Sequence, residues 1–164
     1  MIIEGLINDR KRFNIQNCAY RRPIAHRTDD GLWELTEPSI YRWTWDLGQC
    51  GFLHPAGYRW SSSVPRICRI VVDPEMLFEC SLPHDLGYET QGGIRQFNTF
   101  LIDGSCQKNS LVDWYSGNPL TLSRSRIDAI FFAFALESKV PPGMAEKAYV
   151  AVYMDGQDAW NDNC

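Results

Sequence analysis

Several common chemistries are missing from this 164-residue chain, and each absence excludes a class of protein. None of the six cysteines (Cys18, Cys50, Cys68, Cys80, Cys106 and Cys164) belongs to a Cys-x-x-Cys pair, so zinc-knuckle spacing is absent. No apolar run reaches the ~18–20 residues needed to cross a membrane. Glu4 follows Met1-Ile2-Ile3 at once, leaving no apolar h-region of a signal peptide, and free thiols in a reducing compartment are therefore expected. Neither a Gly-x-Ser-x-Gly elbow nor a glycosidase-like pair of carboxylates is present. Charge is sparse too, at 22% with a net of −4, which argues against a dedicated nucleic-acid binder. Lysine is scarce: arginine outnumbers it twelve to four, and arginine suits planar, interface-type pairing. There is no internal repeat and no low-complexity segment.

What is present is apolar and aromatic, 45% and 13% of residues. That suffices for one domain burying roughly 70% of its unfolded surface. The charges are unevenly placed. Residues 1–27 hold six Lys/Arg against Glu4 and Asp9, while residues 137–164 hold five acids against Lys139 and Lys147, an asymmetry that marks contact with a partner or another subunit. Residues 1–30 read as an Arg-rich arm with at most one short strand, and His26 as a surface histidine. From Leu32 to Trp60 the texture is β. Trp33, Leu35, Tyr41, Trp43 and Trp45 alternate with polar residues, and Gly31, Pro38, Gly48, Gly51, Pro55 and Gly57 punctuate them as turns. His54 before Pro55 reads as structural.

Asp73-Pro74-Glu75 is a helix start, with Asp73 as N-cap and Pro74 at the first position, and the helix runs to about residue 88 with Pro83 kinking it. Residues 89–122, broken by Gly92-Gly93, Asp103-Gly104 and Gly117-Asn118-Pro119, read as an inserted hairpin or long loop, with one strand signal at Phe97, Thr99 and Leu101. Ser123 or Ser125 starts a second helix, Arg126 to Leu136, apolar almost all round and ended by Pro141-Pro142-Gly143. Ala145–Asp155 suits a third helix, though its Tyr149–Tyr153 core also suits a strand, and Gly156 to Cys164 reads as a polar tail anchored by Trp160. The expected fold is α+β: a single domain over residues 31–164, with N-terminal antiparallel strands packed on two or three helices.

One stretch stands out within this frame. In Leu82-Pro83-His84-Asp85-Leu86-Gly87-Tyr88, a helix puts Leu77, Cys80 or Ser81, His84 and Tyr88 on one stripe, with Asp85 rotated by about 100°. An imidazole and a phenol on an apolar stripe are costly to bury without partners. An isolated pair of this kind is a core histidine satisfied by a hydrogen bond. Asp128 poses the same problem, being a carboxylate in a helix too apolar to be exposed.

Five short motifs in order resemble a domain family of unknown function encoded mainly by tailed phages and prophages, the domain of unknown function 1353. They are Pro55-Ala56-Gly57-Tyr58; Ser63-Val64-Pro65; His84-Asp85-x-x-Tyr88; Ser125-Arg126-x-Asp128-x-x-Phe131; and Gly156-x-x-x-Trp160. The resemblance spans about residues 41–160. It departs from the family pattern at Trp60-Ser61-Ser62, where an aspartate is usual, and in the 89–122 insertion. More distantly, the helix-pair motif is similar to that of secreted phospholipases of the A-two type, in which the histidine is a general base, its neighbouring aspartate binds calcium and a second aspartate orients the imidazole. The glycine-rich calcium loop and disulfide lattice of those enzymes are absent.

These likenesses imply a set of expectations. His84 and Asp128 should face each other across two antiparallel helices with Tyr88 beside them. An enzyme would use His84, Asp128 and Tyr88 as catalytic residues, Asp85 as ligand to a divalent metal ion, and Trp60 and Ser63 for binding. Asp128 would raise the His84 pKa while desolvation lowers it. The family implies a virion structural protein of tail, baseplate or capsid. Its partners would be other phage structural proteins or copies of itself, with residues 1–30 and 89–122 making the contacts. It would reside in the host cytoplasm during assembly and then in the virion. The alternative is a hydrolase with His84 as general base, acting on lipid or cell-envelope ester or amide bonds.

Overall fold

The computed structural model of the chain describes residues 14–46, 48–61, 74–90, 92–97 and 118–162. In chain order the elements are β1 Gln16–Tyr20, β2 Ala25–Arg27, β3 Trp33–Leu35, β4 Ser39–Trp45, β5 Gly48–His54 and β6 Arg59–Trp60; then a 3-10 turn Pro74–Leu77 leading into α1 Phe78–Glu89; then β7 Gly93–Phe97, β8 Asn118–Thr121, α2 Arg124–Glu137 and α3 Pro142–Asp162. The fold is α+β. One antiparallel sheet has the order β1-β4-β5-β7-β8 and a smaller one β2-β3-β6.

The alternating aromatics of β4 create the core. Tyr41, Trp43 and Trp45 share a face with Cys50, Phe52 and His54 of β5, in the register Tyr41↔Phe52 and Trp43↔Cys50. Phe134 of α2 fits edge-on among these rings, with centroids 5.0 Å from Tyr41, 6.1 Å from Trp43 and 5.6 Å from Tyr20. Such edge-to-face contacts add to the burial energy of each ring. At the other end Phe78 packs on Trp33 and Trp60 and seats the small sheet against the start of α1.

The strands expected over 32–60 are β3 to β6. The described part of the basic N-terminal stretch is built into both sheets, because β1 pairs with β4 and β2 with β3. Neither strand alternates clearly in sequence. Each forms because a neighbouring strand offers it an unpaired edge, a non-local cause that local pattern does not register. The flanks of the 89–122 insertion extend the main sheet as β7 and β8, paired from Gly93↔Thr121 to Gln96↔Asn118. Gly92 at their base has φ +83°, and a Cβ there would overlap the Leu122 carbonyl oxygen, so only glycine fits. Asp73, Thr99 and Leu101 lie outside the described residues.

The helices differ from expectation in their ends. Pro141-Pro142-Gly143 does not simply stop α2: Lys139 (φ 65°) turns the chain, with Val140 N–H bonding Ala135 O and Lys139 N–H bonding Leu136 O, and Pro142 then opens α3. The third segment is a helix, not a strand, and it continues to Asp162 through the stretch read as a tail. Ala145, Ala148 and Val152, at helical spacing, are buried on the body and give it the reason to continue.

Pro83 lies inside α1 and cannot donate to the carbonyl four residues earlier, that of Glu79. The buried Tyr41 hydroxyl donates to that oxygen instead, at 2.6 Å, so the sheet supplies the hydrogen bond that proline removes from the helix. Tyr41→Phe is expected to cost about 1–3 kcal/mol, the range for a buried acceptor left unpaired. In the Pro83→Ala background, where the backbone N–H restored at that position becomes a donor, the same change should cost clearly less. Urea unfolding of the four proteins measures the coupling; equal costs in both backgrounds would remove this account of Pro83.

Candidate functional site

α1 and α2 cross closely because Gly87 has no side chain. A Cβ on it would stand 2.8 Å from Ile127 Cγ2. Gly87 and Tyr88 lie beside Ile127 and Asp128, whereas His84 reaches Phe131, so the two helices run antiparallel. Asp128 is fully buried at this crossing. Its Oδ1 accepts from His84 Nε2–H at 3.0 Å and from the Tyr88 hydroxyl at 2.8 Å. Its Oδ2 stands 3.6 Å from Arg124 Nη1, one turn earlier on α2. The expected pairing of His84 with Asp128, with Tyr88 beside them, is therefore present.

The second carboxylate is Asp85, about one-third exposed. Its Oδ1 is 3.9 Å from His84 Nδ1, and its Oδ2 accepts the Ser61 backbone N–H at 3.1 Å. His84 thus lies between two carboxylates, one at each ring nitrogen. Burial alone would lower its pKa, but hydrogen bonding and charge from Asp128 and then Asp85 outweigh burial and raise it to about 9. At neutral pH the ring is an imidazolium. Burial, reinforced by Asp128, raises the Tyr88 pKa, so that hydroxyl remains a donor.

The far side of the network is closed by α3. Trp160 meets Tyr88 edge-on at 5.2 Å, and Gly156 lies over the Tyr88 hydroxyl, where a Cβ would collide with it. Arg124 Nη1 also donates to the carbonyls of Val152 and Tyr153, at 3.4 and 3.0 Å. Arg124, Gly156 and Trp160 were not among the site residues expected from sequence. The Arg124–Asp128 spacing of four was available as a signal, but the motif drew attention to Arg126. That residue turns away to make a bidentate pair with Asp46, at 2.8 and 2.9 Å, above the Trp45 ring.

The remaining candidates separate. Trp60 is buried in the core at the start of α1, its indole N–H donating to Phe78 O at 3.4 Å, and the backbone N–H of the next residue reaches the site. Ser63 lies outside the described residues. Asp85 is beside His84, yet among the described residues no group of three His, Cys, Asp or Glu side chains is arranged to hold a metal ion. His54 is wholly buried, with Nδ1 3.2 Å from Ser39 O, and burial pushes its pKa down to about 3. His26 is exposed beside Glu34.

His84 Nε2 is committed to Asp128 at 3.0 Å, and Nδ1 stands 3.9 Å from Asp85, beyond hydrogen-bond distance. The arrangement joins α1 to α2 through one buried carboxylate and reaches α3 through Arg124 and Tyr88. No helix of the described residues is long and apolar enough to cross a membrane. Compared with models of protein families, with curated proteins and with solved structures, the chain matches none of them.

The raised His84 pKa implies a pH-dependent stability of definite sign. The folded value is about 9 against an ordinary 6.5. The stabilisation is therefore fully present below about pH 6.5 and is lost as pH rises through about 9. Unfolding free energies measured from pH 6 to 10 should fall over that window, and His84→Gln should flatten the fall. Asp128→Ala takes the nearer of two carboxylates from a buried imidazolium and should cost about 3–5 kcal/mol at pH 7. An imidazole titration of His84 by NMR near 6.5 would contradict both expectations.

Proposed function

We propose that the protein is a structural subunit of a tailed-phage particle, of tail, baseplate or capsid, in which His84, Asp128 and Tyr88 are an internal fastener. One observation carries the non-catalytic half of this reading: both ring nitrogens of His84 face carboxylates, Asp128 at 3.0 Å and Asp85 at 3.9 Å. A ring held this way joins α1 to α2, and in its protonated form it has no lone pair for proton abstraction. The phage half rests on the order of the five motifs and on the uneven charge of the two ends. Its partners are other phage structural proteins or copies of itself, met in the host cytoplasm during assembly and afterwards in the virion.

A second reading, a hydrolase of lipid or cell-envelope ester or amide bonds, draws on the His84–Asp128 contact. That contact would orient a base if Asp85 left Nδ1. The two readings part in a single experiment. Particles made with wild-type protein and with His84→Gln are purified and their subunits counted by mass spectrometry, and the isolated proteins are assayed on ester substrates. The structural reading expects a fixed copy number per particle, near wild type in His84→Gln, and no ester cleavage by either protein. Absence from particles, together with an ester activity lost in a folded His84→Gln variant, would overturn it in favour of the hydrolase.

A further inference from the structure

The two parts of α3 are held very differently. Ala145, Ala148, Tyr149, Ala151 and Val152 are buried, and Tyr149 stacks on Phe132 at 5.2 Å. Among the described side chains from residue 156 onward, Gly156 and Trp160 face inward, while Gln157, Asp158 and Asn161 are exposed. The junction is weak for a structural reason. Gly156 must lack a Cβ to pass over the Tyr88 hydroxyl, so the poorest helix former after proline sits mid-helix. In addition, the carbonyls of Val152 and Tyr153 accept from Arg124 Nη1, which pins α3 to α2 just before Gly156 and marks where the firmly held part of the helix ends. A glycine directly after a turn pinned to the body is where a helix gives most readily, and both conditions meet at Gly156.

Tyr88 depends on this segment for its burial. It is 6% exposed, with His84 against one side of its ring, the Trp160 edge on another and Gly156 over its hydroxyl. We propose that residues 156–162 form a strap that opens about Gly156 as a unit while the rest of the domain stays folded, uncovering Tyr88 and the Asp128 carboxylate behind it. The sealed network thereby becomes reachable from solvent without unfolding. This goes beyond the fastener reading and does not depend on the protein's presence in a particle.

Amide hydrogen exchange read residue by residue on the wild-type chain tests the hinge. A step is expected at Gly156, with amides of residues 157–162 sharing one rate about tenfold or more above those of residues 148–152. A smooth gradient rising toward the end of the helix means fraying alone, and one rate throughout α3 means no strap; either result overturns the proposal. Nitration by tetranitromethane, mapped by mass spectrometry, tests the uncovering. Trp160→Ala should raise modification of Tyr88 about tenfold while Tyr41 and Tyr149, both core residues, stay unchanged. If Tyr88 remains as protected as Tyr41, or all three rise together, the strap does not cover the site.

Discussion

A carboxylate with no contact to water is the constraint that organises this protein. Asp128 lies at the crossing of α1 and α2, and burying its oxygens is tolerable only because imidazolium, phenol and guanidinium groups surround them. Each partner then imposes a condition of its own. His84 and Tyr88 must lie one turn apart on α1, which sets that helix's rotation. Gly87 must be small for Ile127 to come close, and Gly156 must be small for α3 to pass over Tyr88. The glycines of the site are thus consequences of the buried charge, through the close approach it demands.

The sheet contributes to the same arrangement at a distance. Tyr41 supplies the hydrogen bond that Pro83 cannot, which lets α1 carry a proline one residue before His84 and remain a helix through Glu89. Phe134, on the same helix as Asp128, is enclosed by rings from β1 and β4. α2 is therefore located by aromatic packing near its end and by the charge network near its beginning. Two different kinds of interaction fix one helix, so the position of Asp128 is set twice.

The order His-Asp-x-x-Tyr does not by itself fix the charge of the ring. The His84–Asp128 contact is of the expected kind, and the other ring nitrogen decides the charge. Asp85, steadied by the Ser61 amide, faces Nδ1 and adds a second negative charge, which drives the ring toward its protonated form. The same side chains hold a neutral or a charged ring according to where one neighbouring carboxylate points.

By itself the sequence determined the elements whose cause is local. The aromatic alternation of β4, the apolar run of α2 and the spacing of His84 and Tyr88 all followed from period, and so did the need of His84 and Asp128 for a buried partner. Tertiary structure decided the rest. β1 and β2 exist because β4 and β3 offered edges, and α3 runs to Asp162 because Val152, Gly156 and Trp160 find a surface to lie on. Arg124, not Arg126, completes the site because rotation about α2 turns one toward Asp128 and the other toward Asp46. The charge on His84 was the least legible feature, since burial and two carboxylates oppose each other and only their distances settle which prevails.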